Sequence, residues 1–157
     1  MLEKDVNRIL TSSLNKHGWA YKIPDPPQAT TMMASPRPFD IIAVKDGLSY
    51  YIESKLIKSK YGAFNFKQIR DHQIYNLNRI KTAKKDAQTL IAVFYWVPRQ
   101  IFDVLFFDID FINQKIEDGI GSLKKKDILE FIAQDQYLTV KKREIDLRRL
   151  GHVIIRA

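Results

Sequence analysis

The stretch PFDIIAVKDGLSYYIESKLI, residues 38–57, decides how this 157-residue chain is read. Two runs rich in Ile, Val and Tyr, Phe39–Lys45 and Leu48–Leu56, flank Asp46-Gly47. Asp-Gly suits the two central positions of a type I′ turn, whose positive φ values match the twist of paired strands, so a two-residue hairpin is expected here. The turn sets the register. With Lys45 opposite Leu48, Asp40 falls directly opposite Glu53. Glu53 and Lys55 are two apart and project to one face of the strand, while Ser54 points away.

Two carboxylates facing each other at roughly 5 Å repel, and something must offset that repulsion. A divalent cation does so, and Mg²⁺ favours one or two carboxylates with water and phosphate completing its shell. Asp40 and Glu53 are therefore candidate ligands for Mg²⁺, with Mn²⁺ as a substitute. Lys55 would position the attacking water or offset charge developing on a phosphoryl group. Such a set suits phosphodiester hydrolysis. The competing reading is a solvated charge pair on an exposed hairpin.

Upstream, Val6, Ile9, Leu10 and Leu14 recur at helical spacing between acidic Glu3 and Asp5 and a terminal Gly18, predicting a helix over residues 2–17. Trp19–Ile23 reads as a short strand, and the prolines from Pro24 to Pro38 as an extended loop facing substrate. Downstream, a Lys-rich loop (Ile57–Asn65) leads to a helix carrying Ile69, Gln73, Leu77 and Ile80. Thr89–Val97 and Ile101–Phe107 then read as a buried antiparallel pair, whose aromatics Phe94, Tyr95, Trp96, Phe102, Phe106 and Phe107 suit core or a subunit interface better than base stacking. The tail pattern is weaker: a short helix over Asp108–Lys115, another over Lys125–Ala133, a strand over His152–Ile155. The order α-β-β-β-α-β-β plus a C-terminal tail is an α/β domain with a mixed sheet flanked by helices. One domain, residues 1–157, is expected, with a core over 2–112 and an extension over 113–157.

Composition narrows the chemistry. There is no cysteine, so disulfides, thiolate zinc sites and a cysteine nucleophile are excluded, and three scattered histidines make a His-rich site a poor fit. Twenty-six Lys and Arg against 18 Asp and Glu give a net charge of +8, which suits a polyanionic partner. No apolar run approaches the ~18 residues of a membrane helix, and the opening residues are too charged for a signal peptide. A soluble, cytoplasmic protein with no membrane partner and no nucleotide cofactor is expected.

The motif Pro38-Phe39-Asp40, twelve residues, then Glu53-Ser54-Lys55 resembles the PD-(D/E)xK nuclease signature, with Phe39 inserted between Pro and Asp. Within that superfamily, YYIESKLIKSKYGAFNFKQIRDHQIYNL (residues 50–77) is similar to the RecU-type Holliday junction resolvases, which carry His-Gln near the start of a helix, here His72-Gln73. The opening LEKDVNRIL resembles the family's first helix, and archaeal-type and phage-type resolvases share the plan. The resemblance spans residues 2–112 and implies a restriction-endonuclease-like core. It implies that Asp40, Glu53 and the Ser54 backbone carbonyl hold the metal, that Glu3 completes the site, directly or through water, and that Gln73 helps to place it. It assigns Lys55 the catalytic ammonium, and Ser35, Arg37, Lys58, Lys60, Lys67 and Arg70 contacts to DNA. The implied activity is symmetric nicking of four-way junctions by a homodimer, since a twofold substrate calls for a twofold enzyme. The alternatives are a restriction-like or repair nuclease acting on duplex or flap DNA, or a DNA-binding protein of this fold without catalysis.

Overall fold

The computed structural model describes residues 1–26, 36–133 and 136–157. Helix α1 (Glu3–Asn15) ends two residues before the expected boundary. It turns into β1 (Trp19–Lys22) at Gly18, where any Cβ would collide with the Val44 carbonyl oxygen. Asn15 secures the turn, donating to the Ala20 carbonyl at 3.1 Å and accepting from the Ala20 amide at 2.8 Å. Strands β2 (Ile41–Lys45) and β3 (Leu48–Ile57) follow, joined by Asp46 and Gly47 at φ 52° and 75°, the left-handed values that the Asp-Gly pair predicts.

The hairpin register is the expected one from Lys45↔Leu48 to Ile41↔Ile52, and there it stops. The expectation that Asp40 sits directly opposite Glu53 is corrected: the Asp40 amide donates to the Ile52 carbonyl at 3.0 Å, one residue short of the ladder partner. The cause is local. The Asp40 carboxylate takes the Ser54 amide at 2.8 Å, so side chain and backbone compete for the end of the ladder.

The loop after β3 is shorter than expected, since Ala63–Asn65 forms strand β4, followed by a 3₁₀ turn (Phe66–Gln68) and helix α2 (Asp71–Ala83). Ile69 therefore precedes the helix it was expected to open. Strand β5 (Gln88–Val97) runs parallel to β3, and β6 (Ile101–Asp108) pairs antiparallel with β5. This is the buried pair that the apolar runs predict.

The described residues beyond 108 pack on the core. Helix α3 (Ile109–Glu117), β7 (Ser122–Lys124), α4 (Lys125–Phe131), β8 (Leu138–Thr139), α5 (Leu150–Val153) and β9 (Ile154–Ile155) follow in order. β7 pairs with β4, while β8 and β9 both pair with β6 and close one edge of a mixed sheet ordered β1-β2-β3-β5-β6-β8.

Helices cover both faces of that sheet. On one, Val6, Ile9, Leu10 and Leu14 of α1 pack on Ala43, Ile52, Leu90, Ala92 and Phe106 together with Leu147 and Leu150 of the tail. Each of the larger of these side chains, fully buried, contributes ~1.5–3 kcal/mol. On the other, Leu77, Phe64, Phe66, Ile112 and Ile128 pack on Ile91, Val93, Tyr95, Leu105 and Phe107. Phe94, Tyr95, Phe106 and Phe107 are buried, in accord with a core role for the aromatics.

Candidate metal centre

Asp40, Glu53, Lys55 and Gln73 converge on the α2 face of the sheet. Their exposures are 2%, 1%, 7% and 6%, so three ionisable groups sit together out of water. Alternation along β3 puts Glu53 and Lys55 on this face, between Tyr51 and Ile57 of the same hydrophobic layer. Gln73 arrives from the first turn of α2, where its carboxamide oxygen accepts the Arg70 amide at 2.9 Å. That bond fixes which way the amide faces. Its NH₂ donates to Glu53 Oε1 at 2.6 Å, and its oxygen also accepts from Lys55 Nζ at 3.4 Å.

Lys55 Nζ lies 2.8 Å from the same Glu53 Oε1. One oxygen of Glu53 thus holds two donors, while the other, Oε2, is buried without a hydrogen-bond partner among the described residues. A buried carboxylate oxygen left without a donor is costly. Burial, and after it the charge of Asp40, raise the Glu53 carboxyl from its usual 4.5 to about 7, despite the opposing pull of Lys55 and Arg37. On Asp40, Oδ2 accepts the Ser54 amide, and Oδ1 forms an ion pair with Arg37, which also pairs with Asp25. Arg37 is therefore engaged with two carboxylates, where an open phosphate contact is expected from sequence.

An oxygen without a donor on Glu53, with the charge of Asp40 opposing its ionisation, is a place where a cation or a proton would be stabilised. Two hard carboxylates fit Mg²⁺ or Mn²⁺ chemically. Among the described residues no three His, Asp or Glu side chains cluster closely enough to hold an ion by themselves, so water and phosphate would fill the shell.

The remaining expected residues divide into groups. Glu3, Arg37 and Arg70 line one cavity of about 230 Å³ with Glu53, Lys55, His72 and Gln73. Glu3 is exposed at the start of α1 and reaches the cavity wall without joining the carboxylate pair. Lys67, with Arg70, lines a neighbouring groove of about 650 Å³ along α2 and the loop after α3. Lys58 and Lys60 are exposed beyond β3, and Lys60 lines a third cavity of about 390 Å³. Ser35 lies outside the described residues. Asp25, which pairs with Arg37 and lines the first cavity, is missing from the sequence expectations. A lone acid between prolines carries no periodic signal.

No protein-family model matches the chain, and no curated protein sequence does. Among solved structures, the chain is similar to Hjc, a Holliday junction resolvase from the archaeal hyperthermophile Archaeoglobus fulgidus, with 21% sequence identity and a TM-score of 0.44. The alignment covers 68% of this chain and 76% of that one.

Proposed function

We propose that this chain is a metal-dependent endodeoxyribonuclease of restriction-endonuclease-like fold that resolves four-way DNA junctions by paired, symmetric nicks as a homodimer. The observation that carries the reading is the buried Glu53 carboxylate, with one oxygen tied to Lys55 and Gln73 and the other without a donor. Mg²⁺, or Mn²⁺ in its place, supplies an acidified water and stabilises charge on the transferred phosphoryl group.

The chain's own residues do the rest. Asp40 and Glu53, with the Ser54 carbonyl, would hold the ion, and Glu3 of α1 would contribute directly or through water. Gln73 holds Glu53 Oε1, which leaves Oε2 free of a donor. Lys55 keeps an ammonium beside the reacting phosphate, where it positions the nucleophile and offsets developing charge. Arg37 passes from Asp40 to the scissile phosphate, and Lys58, Lys60, Lys67, Arg70 and Ser35 track the backbone on either side. The net charge of +8 supports a DNA partner and steers its encounter. The protein would act inside the cell, in the cytoplasm.

The test is incubation with end-labelled four-way junction, duplex, flap and single-stranded DNA, with and without Mg²⁺. Paired nicks in the junction that require Mg²⁺, and are faster than any cut in linear duplex, support the assignment. Equal cutting of duplex would leave a general nuclease, and no cutting of any substrate would leave a binding protein.

A further inference from the structure

The third cavity is built on a buried ion pair that the proposed chemistry does not use. Lys125 and Asp103 are 4% and 6% exposed, and the Lys125 ammonium lies 2.7 Å from Asp103 Oδ2. Asp103 Oδ1 accepts the Thr139 hydroxyl at 3.2 Å, and the Tyr95 ring lies beneath the ammonium at 4.9 Å. Burying such a pair is no better for stability than burying two apolar side chains of like volume. Stability alone therefore does not account for the pair, and both of its residues line a cavity. An ammonium carries three donors, and one goes to Asp103, which leaves N–H groups for an acceptor entering from above.

The rim adds charge and a flat ring. Lys60 and Lys126 stand on it without an ion pair among the described residues, opposed by Glu130. Tyr61 is 72% exposed, with the Lys60 ammonium 5.2 Å from its ring. The loop that presents them is tightly folded: a Cβ on Gly62 would lie 2.8 Å from the Ile57 side chain and 2.9 Å from that of Ser59. The ring is thus held on a closed turn.

The sheet relates this cavity to the metal centre. Asp103 pairs with Tyr95, which pairs with Ile57, so Asp103 lies two strands across and four residues along from Glu53. At strand spacings of ~4.8 Å and a rise of ~3.3 Å per residue the separation is about 16 Å on the same face. That is the length of about five stacked nucleotides at ~3.4 Å each.

We propose that the cavity bounded by Tyr61, Lys60, Lys126 and the Lys125–Asp103 pair binds one unpaired nucleotide of a DNA strand, its base on Tyr61 and its phosphate on the lysines. An aromatic ring can stack on a base only when that base has left its pair, and a cavity of about 390 Å³ admits a nucleotide and not a duplex. The branch point of a junction, where continuous stacking is interrupted, is where a base can most readily leave its pair. The proposal rests on the nuclease reading for its substrate, and it adds a structure-sensing site formed jointly by the β3–β4 loop and the C-terminal residues.

The test uses the full chain in EDTA, so that no DNA is cut, with a fluorescent oligothymidylate as the probe. Tyr61→Ala should weaken binding about tenfold and Tyr61→Phe should restore it. Lys126→Gln should lower the slope of log affinity against log salt by about 0.7. Both side chains are exposed, and unchanged melting temperatures would confirm intact folding. Oligothymidylate binding by Tyr61→Ala equal to wild type overturns the site, whatever the cleavage result. Failure of the wild type to cut any DNA with Mg²⁺, together with binding that depends on Tyr61, overturns the nuclease reading and leaves the site standing.

Discussion

Replacing Glu53 with Gln should make the metal-free protein more stable at neutral pH and remove its response to Mg²⁺. The Glu53 carboxyl is raised from 4.5 to about 7, chiefly by burial and then by Asp40. An acid whose folded pKa lies above its unfolded value binds its proton more tightly in the folded state. Stability is therefore full below about 4.5 and falls as pH rises toward 7. A shift of that size, at ~1.4 kcal/mol per pH unit, corresponds to a loss of about 3 kcal/mol. For a domain of this length the loss lowers the melting temperature by roughly 6–12 °C. In EDTA, wild-type protein should lose this much between pH 5 and pH 8, and Glu53→Gln should lose far less. Addition of Mg²⁺ at pH 8 should return stability to the wild type and leave the variant unmoved. The assay is thermal or urea denaturation at the two pH values, with and without the cation. If Glu53→Gln falls as steeply with pH as the wild type, the strain is not located at Glu53 and the argument for a cation there fails.

Asp40→Asn should abolish junction cleavage, a loss of several kcal/mol of transition-state stabilisation and so at least ~10³-fold, while junction binding measured by gel shift persists. Gln73→Leu should leave the ligands in place and lower Mg²⁺ affinity, read by calorimetry, about 10–100-fold, because Glu53 loses the donor that orients it. Gly18→Ala should destabilise the fold by ~1–3 kcal/mol in urea titration, since its Cβ meets the Val44 carbonyl and the α1–β1 turn must shift. Light scattering should give about twice the 18.4 kDa chain mass, and a monomer that still nicks both strands of a junction symmetrically would contradict the twofold argument.

What the sequence made legible, and what it hid, follows the range of the interactions involved. The β2–β3 hairpin is local: Asp46-Gly47 demands left-handed backbone at two adjacent residues, and every rung from Lys45↔Leu48 to Ile41↔Ile52 follows from that turn. The register failed by one residue at Asp40, where the carboxylate's bond to the Ser54 amide outcompetes the ladder, a choice no periodicity records. Strand β4 was hidden in a Lys-rich loop because its partner is Ser122–Lys124, far along the chain, and three residues make no pattern of their own. Strand β8, two residues long, was hidden because it is made by pairing with β6, whereas β9 falls within the strand expected over His152–Ile155.

The same distinction separates the two sites. Asp40, Glu53 and Lys55 fall on or beside one hairpin, so spacing could suggest that they meet, while Gln73 came from the family resemblance. The Lys125–Asp103 pair joins the start of α4 to the middle of β6, across a fold that only the packed tail completes. The candidate metal centre is carried by local elements and would survive much variation in the tail. A site for an unpaired nucleotide that needs Lys125 and Lys126 would be lost with the tail, and so the C-terminal residues, and not the hairpin, are where discrimination between branched and linear DNA should reside.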